Sequence, residues 1–238
     1  MIKNFVMKLA VVLGSGLGEI AGKFSQNRLL SLSSFGVQNR KVYVVSHAGF
    51  DILMFSGRKH FYEGFNVESI ISDFTLAFNY GVKFMLITNA AGGINENFKI
   101  SDLMVINSYI NFNQKLIFKK SSNLNNYILA DKFRNVCKRI KVRYHDGVYG
   151  CVQGPAYETA SEVKMLKKYG ADAVGMSTIP DLHGAAQMGI QSVGVSVITN
   201  LLKGNITRYS THSDIVSSAQ KATHILYRVI IALVNELN

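Results

Sequence analysis

The chain alternates between short apolar runs and longer segments in which apolar residues recur at helical spacing. Consecutive apolar residues bounded by glycine, asparagine or serine are typical of buried strands. This pattern predicts strands at residues 9–13, 42–45, 52–55, 84–88, 103–106, 148–152, 173–175 and 192–198. The His-Ala-Gly sequence at 47–49 is predicted to be the turn between the second and third strands, and residues 89–95 are predicted to form a loop.

Helical spacing predicts helices from residue 19 and at 67–80, 126–139 and 161–169. The clearest helix is the last one, for which Ser213 and Asp214 are predicted to supply capping side chains. Its apolar face comprises Ile215, Ala219, Ala222, Ile225, Leu226, Val229, Ile230 and Leu233. Because strands and helices alternate throughout, we expect an α/β fold, an αβα sandwich around a mostly buried, mixed sheet.

No linker, charge run or internal repeat divides the 238 residues, so a single domain, 1–238, is expected. The N-terminal apolar run is interrupted by Lys8 and ended by Gly14, which favours a buried strand over a signal peptide. No stretch approaches the roughly 18 apolar residues that span a bilayer. Cys137 and Cys151 do not make a disulfide framework. We therefore expect a cytoplasmic protein that does not bind a membrane.

The formal net charge of +11 is compatible with a nucleic acid, an acidic membrane or a small anionic substrate. However, the lysines and arginines are scattered, with modest clusters at 119–120 and 138–143. Neither cluster is interleaved with aromatic residues, as a surface that stacks bases would be. A nucleic-acid partner is therefore not expected.

The first candidate site is the Gly-Ser-Gly-Leu-Gly sequence at 14–18, which follows a predicted strand and precedes a predicted helix. Backbone N–H groups in such a turn favour a bound anion. Glu19 stands where a dinucleotide-binding fingerprint requires glycine, and no P-loop lysine follows. The turn therefore indicates either an anion site or no more than a tight turn.

Two further polar segments follow predicted strands. Arg58, His60 and Tyr62 lie within five residues, and an arginine there suits bidentate contact with an oxyanion. The segment 88–95, Thr-Asn-Ala-Ala-Gly-Gly-Ile-Asn, has small residues that would let a ligand approach the backbone. A solvated loop and a simple crossover turn are the alternatives. Ligands collect at the carboxyl ends of strands in open α/β sheets, which favours a binding site.

Both prolines of the chain lie in short polar segments, 154–159 and 175–180, where they favour fixed loop geometry. Glu158 can stabilise a helix N-terminus or, beside Tyr157, bind the edge of a purine. Asn200 can form a turn, or donate to and accept from a ligand at once. His212 precedes the capping residues of the last helix, where a surface imidazole is the ordinary alternative to a functional one.

In combination, these segments resemble the trimeric, low-molecular-mass purine nucleoside phosphorylases, which are related to methylthioadenosine phosphorylase. The matching motifs occur in family order between residues 14 and 200. They are Gly-Ser-Gly-Leu-Gly, Gly-Arg-x-His-x-Tyr-Glu-Gly, Thr-Asn-Ala-Ala-Gly-Gly, Gly-Pro-x-Tyr-Glu-Thr, Gly-Ala-Asp-Ala-Val-Gly-Met-Ser-Thr-x-Pro and Ile-Thr-Asn. The resemblance implies a nucleoside phosphorylase fold with a partly barrel-like sheet, and a homotrimer.

The resemblance also implies a role for each matching residue. Phosphate would be bound by Ser15, Arg58, His60, the backbone at Ala90, and Ser177. The nucleoside would be bound by Tyr62, Tyr157, Glu158, Met176, Asn200 and His212, and catalysis would depend on Asn200, Glu158, His60 and His212. No metal or organic cofactor is implied, since inorganic phosphate is the co-substrate. The implied reaction is phosphorolysis of 6-oxopurine (deoxy)ribonucleosides such as inosine and guanosine.

Two departures from the family pattern keep alternatives open. Gln38 or Asn39 stands where the family commonly has a phosphate-site histidine, and the region 111–127 is shortened, so that Phe118 is the candidate for an aromatic residue reaching a neighbouring subunit. A non-catalytic module that binds purine or phosphate is therefore one alternative. Methylthioadenosine phosphorylase is the other, although its relatives carry aspartate where Asn200 stands.

Overall fold

The computed structural model describes residues 9–30, 40–72, 74–113, 127–202 and 212–237. Its strands are β1 Leu9–Leu13, β2 Gln26–Leu29, β3 Lys41–His47, β4 Phe50–Ser56, β5 Phe84–Gly93, β6 Leu103–Asn111, β7 Tyr144–Cys151, β8 Ala173–Gly175 and β9 Gln191–Leu201. Its α-helices are α1 Val67–Ser72, α2 Phe74–Asn79, α3 Tyr127–Arg139, α4 Ala160–Lys168, α5 Ile179–Gln187 and α6 His212–Glu236. Two 3₁₀ helices span Gly18–Lys23 and Phe61–Glu63.

The strands form one mixed sheet in the order β2-β3-β4-β1-β5-β8-β7-β6-β9, and β9 also pairs with β5. This additional pairing closes β5, β8, β7, β6 and β9 into a ring, while β2, β3, β4 and β1 extend from it as an open sheet. The predicted mixed, partly barrel-like sheet is therefore confirmed. Among the described helices, none is long and apolar enough to cross a membrane.

Central strand β1 is buried on both faces, and its alternate residues contribute to two different cores. Leu9, Val11 and Leu13 belong to a core that includes α3 and α6. Ala10 and Val12 belong to a second core, with α1, α2 and α5. Helices thus cover the sheet on both sides, as an αβα sandwich requires. The predicted apolar face of α6 is confirmed, with Ile225 only partly buried.

Several predicted elements have different bounds in the structure. β5 continues through Gly93, where a loop was expected, and β9 continues through Leu201. The helix expected after Gly18 is a single 3₁₀ segment. The helix expected at 67–80 is described as α1 and α2. Helix α6 begins at His212, so Ser213 and Asp214 lie in its first turn.

Two elements, β2 and α5, were not predicted. All residues of β2 are exposed at the edge of the sheet, so its sequence lacks the apolar alternation of a strand with one buried face. Helix α5 is buried on all sides from Ile179 to Ala185 and therefore has no polar stripe that would reveal a helical period.

Candidate active site

Parallel pairing brings four of the predicted segments to one edge of the sheet. β1 is parallel to β4 and β5, and β5 is parallel to β9, so their carboxyl ends meet. Ser15 follows β1 and Arg58 follows β4. Ala90 and Asn200 lie in the last part of β5 and β9. The predicted site segments therefore collect at the carboxyl ends of neighbouring strands, where open α/β sheets usually bind ligands.

The segment after β8 reaches the same edge by a different route. β8 is antiparallel to β5, with Val174 opposite Gly92 and Ala173 opposite Gly93, so the chain runs back along β5. Ser177 and Thr178 thereby come next to the residues that precede Ala90. The Asn89 side-chain amide donates to Thr178 Oγ1 at 2.8 Å, and this hydrogen bond holds the segment after β8 beside β5.

These segments enclose a cavity of about 300 Å³. It is lined by all the predicted site residues whose side chains the structure describes: Ser15, Arg58, His60, Tyr62, Ala90, Tyr157, Glu158, Met176, Ser177 and Asn200. The side chain of His212 lies outside the described part of the chain, as do Gln38, Asn39 and Phe118.

Two glycines explain how the turn after β1 enters the cavity wall. A Cβ atom on Gly14 would lie 2.7 Å from the Asn89 backbone, so only glycine allows β1 and β5 to approach this closely. Gly16 has a φ of +75°, which disfavours residues with a side chain. The Gly14 N–H donates to Thr88 Oγ1 at 3.4 Å. Ser15 is therefore held against the end of β5.

Arg58 is the best-anchored polar side chain of the cavity. Its Nη1 donates to Ser177 Oγ at 2.8 Å and to Thr178 Oγ1 at 3.3 Å, and its Nη2 donates to the Thr88 carbonyl at 3.0 Å. Its Nε lies 2.9 Å from a carboxylate oxygen of Asp181. The guanidinium therefore has a fixed orientation, which suits it to receive an oxyanion.

Asn89, which lines the cavity, and Thr178 and Asp181, which contact Arg58, were not predicted as site residues. Thr178 has a φ of +76°, a costly conformation for a β-branched residue, and such strain is concentrated at functional sites. Asn89 and Thr178 stand inside the quoted motifs, but their residue types alone gave no signal. Asp181 lies in α5, the helix that the sequence pattern did not reveal.

His60 and Tyr62 form the part of the wall that follows β4. Their rings stack at a centroid distance of 4.7 Å, and His60 Nδ1 lies 3.5 Å from a carboxylate oxygen of Glu63. Burial, and then the positive charge of Arg58, lower the pKa of His60, although Glu63 acts in the opposite direction. Burial and the Arg58 charge thus favour the neutral form of the imidazole.

At another part of the wall lie a carboxyl group and a side-chain amide. Glu158 is buried, and this burial raises the pKa of its carboxyl group. The Thr199 hydroxyl can donate to Asn200 Oδ1 at 3.2 Å or to the Ala91 carbonyl at 3.3 Å. With Oδ1 held in this way, Nδ2 is the atom of Asn200 that can donate to a ligand.

Helix α4 begins directly after Glu158, and its N-terminus is closed by a capping box. Thr159 Oγ1 accepts from the Glu162 backbone N–H at 3.3 Å, while the Glu162 carboxylate accepts from the Thr159 backbone N–H at 2.7 Å. This reciprocal pair fixes where the helix starts. The capping box therefore also fixes the backbone position of Glu158, the residue that precedes Thr159.

The cavity thus combines a wall whose groups suit an anion with a wall whose groups suit a heterocycle. One wall has a guanidinium, two serine hydroxyls and the backbone of β5; the other has an amide, a carboxyl group and two tyrosine rings. Across the described ranges of the chain, no group of three His, Cys, Asp or Glu side chains could hold a metal ion.

Comparison with known proteins agrees with this geometry. The profile of the phosphorylase superfamily matches residues 8–235. Purine nucleoside phosphorylase 1 of Geobacillus stearothermophilus is 31% identical, over 97% of this chain and 91% of the relative. The crystal structure of Schistosoma mansoni purine nucleoside phosphorylase in complex with adenosine has a TM-score of 0.88 and 25% identity, covering 100% of this chain and 93% of that one. A schistosoma purine nucleoside phosphorylase in complex with hypoxanthine has a TM-score of 0.86 at 25% identity, with the same coverage.

The chain belongs to the phosphorylase superfamily. Its relatives in that superfamily are purine nucleoside phosphorylases, and the resemblance stated from the motifs is confirmed. The fold, the motifs and the relatives together define an enzyme of the pentosyltransferase class.

Proposed function

We propose that this enzyme catalyses phosphorolysis of 6-oxopurine nucleosides, such as inosine and guanosine, to the free base and (deoxy)ribose 1-phosphate. The observation that carries the proposal is that an anchored arginine and an amide–carboxyl pair line the same cavity. The two schistosome relatives hold a purine nucleoside and a purine base, which supports a purine ligand here as well.

Phosphate is proposed to bind between Ser15, Arg58, His60, the Ala90 backbone and Ser177. Arg58 supplies the positive charge, because the lowered pKa of His60 favours the neutral form of its imidazole. His60 then contributes a hydrogen bond and no charge. Since protein contacts already fix the guanidinium, little reorganisation accompanies binding of the anion.

In this proposal the sugar lies between phosphate and base, with its hydroxyls at Tyr62 and Met176 and the Tyr157 ring against sugar and base. As the glycosidic bond lengthens, the sugar becomes oxocarbenium-like, and the phosphate beneath C1′ stabilises its positive charge. No covalent enzyme intermediate forms. Hydrogen phosphate and the nucleoside together contain the atoms of both products, so the proposed reaction balances with phosphate as the co-substrate.

The departing purine gathers negative charge, and Asn200 is proposed to stabilise it by donating from Nδ2 to N7. Glu158 would accept from N1–H and so fix the orientation of the base. The contact with N7 accelerates the reaction because it is stronger in the transition state than in the ground state. His212 is proposed to contact the 5′-hydroxyl.

We also propose that the enzyme is a homotrimer. The Tyr62 and Tyr157 side chains at the cavity are 37% and 41% exposed in the isolated chain, and a neighbouring subunit would cover them. Light scattering should give three times the mass of one chain. A monomeric mass together with full activity would contradict the assembly.

The proposed activity is tested by incubating the purified chain with inosine, guanosine, adenosine and methylthioadenosine, each with and without phosphate. We expect release of free base from inosine and guanosine only with phosphate. Preferential cleavage of methylthioadenosine would favour the sister enzyme. Binding of purine without release of base would favour a non-catalytic module.

A further inference from the structure

Arg58 belongs to a buried group of three charged residues, Arg40, Asp181 and Arg58, here termed the charge triad. Of the three, Arg58 lines the cavity. The side chain of Arg40 is fully buried, and those of Asp181 and Arg58 are 1% and 3% exposed. One carboxylate oxygen of Asp181 lies 2.9 Å from Arg58 Nε, and the other lies 3.9 Å from Arg40 Nη2. Asp181 therefore lies between two guanidinium groups.

Arg40 has no direct place in the cavity, since the cavity is lined by Arg58 but not by Arg40. Its guanidinium lies over the rings of Phe55 and Phe74, at 5.4 and 5.7 Å from their centroids. An apolar side chain could occupy such a site without the desolvation cost of a buried charge. A buried arginine in this position therefore calls for an electrostatic explanation.

The charges of the triad supply that explanation. Asp181 anchors Arg58, but a one-to-one pair of the two would be neutral and would attract an anion weakly. Arg40 adds a second positive charge beside the same carboxylate, so the triad as a whole carries one net positive charge. In a buried site of low dielectric constant, this charge acts on a nearby anion far more strongly than it would in water.

We propose that Arg40 is a positioning residue for phosphate: by balancing the charge of Asp181, it leaves the positive charge of Arg58 available to the anion. This inference rests on the proposed phosphate site. It explains how one carboxylate can hold the arginine in place without cancelling its attraction for phosphate.

Titration calorimetry with inorganic phosphate tests the proposal directly, using Arg40→Met, which keeps an apolar chain of similar length. We expect its phosphate Kd to rise about tenfold, a conservative figure for one lost charge in a partly screened interior. KM for phosphate should rise equally, whereas kcat and KM for inosine at saturating phosphate should change little. Arg40→Lys should retain most of the affinity. The control is Lys41→Met, which removes an exposed positive charge one residue away.

A double variant separates charge from packing. In Arg40→Met/Asp181→Asn both charges are removed, so the net charge near Arg58 is restored and phosphate affinity should recover to within about threefold of the parent. Thermal unfolding verifies that each variant is folded. A folded Arg40→Met variant with an unchanged phosphate Kd would overturn the proposal, and so would a double variant that binds no better than Arg40→Met.

These results are independent of turnover. If the parent binds phosphate but releases no base, the proposed function fails while calorimetry still tests the triad. If the parent binds no phosphate, the role of Arg40 is overturned as well.

Discussion

The guanidinium of Arg58 is held by the protein from several sides, through Ser177, Thr178, the Thr88 carbonyl and Asp181. Such preorganisation suits a group that must stabilise charge without rearranging during the reaction. It also means that replacing Arg58 disturbs packing and phosphate contact together, since Asp181 would lose its nearest counter-ion. Residues at the base end of the cavity therefore give cleaner tests of specificity.

Asn200→Asp should shift the enzyme from 6-oxopurines towards 6-aminopurines. The substitution removes the Nδ2 donor proposed for N7, and the new carboxylate repels O6 but accepts from a 6-amino group. Loss of one transition-state donor typically costs about 10²–10³ in rate, so kcat/KM for inosine should fall by that order. Steady-state kinetics with inosine and adenosine measure the ratio.

The matched control for this change is Asn107→Asp, the same substitution at an exposed position of β6 where Arg134 is the partner. It should leave both substrates unaffected. Unchanged inosine activity in Asn200→Asp, with no gain on adenosine, would show that Asn200 does not contact the base.

Glu158 should give the enzyme an acid limb in its pH profile. Burial raises the pKa of this carboxyl group, so it becomes protonated at a higher pH than an ordinary glutamate. As the pH falls through that raised pKa, the charge that accepts from N1–H is lost, and KM for inosine should rise. The measurement needs saturating phosphate at every pH, because phosphate itself titrates near neutrality.

Glu158→Gln provides the comparison, since its amide does not titrate. We expect this variant to bind inosine less tightly and to lose the acid limb. An acid limb identical in parent and variant would assign the titration to another group.

At the scale of elements, the capping box of α4 links stability to the base site, because Glu158 immediately precedes Thr159. Thr159→Ala should lower the free energy of unfolding by about 1 kcal/mol, the usual cost of losing such a cap. It should also raise KM for the nucleoside through displacement of Glu158. Thr159→Ser keeps the hydroxyl and is the control. Chemical denaturation and kinetics on the same samples distinguish this result from a loss of stability alone.

The sequence predicted those elements whose burial leaves a regular pattern. The bounds of β8 were predicted correctly, and those of β1 as well, because short apolar runs end at glycine or polar residues there. The Asn-Ala-Ala-Gly-Gly part of β5 was predicted to be a loop because small residues are also typical of turns. Pairing with β9 and β8, which is not a local property, makes it a strand.

The candidate site was predictable for a related reason. Most of its residues stand in short motifs that contain glycine or proline. Arg40 stands in no such motif, and Asp181, although it follows Pro180, lies inside α5, which the sequence pattern did not reveal. Asp181 and Arg40 meet because α5, which packs against α1, β5 and β9, places Asp181 beside both arginines, and a pattern along the chain does not reveal that contact.

At the scale of the whole molecule, the open sheet is joined to the closed ring of strands where β1 pairs with β5. The cavity lies at the carboxyl end of β5. This arrangement brings together segments from residue 15 to residue 215. A protein with a formal net charge of +11 also attracts small anions over some distance, which favours delivery of phosphate.

The proposed phosphorolysis depends most on phosphate acting as the attacking group. Phosphorus NMR of inosine, phosphate and enzyme measures this directly, with liberated hypoxanthine quantified in the same samples. We predict a new phosphomonoester resonance that grows in one-to-one proportion to hypoxanthine, and no hypoxanthine when phosphate is omitted. Hypoxanthine released without phosphate, or with no new phosphomonoester, would contradict the account.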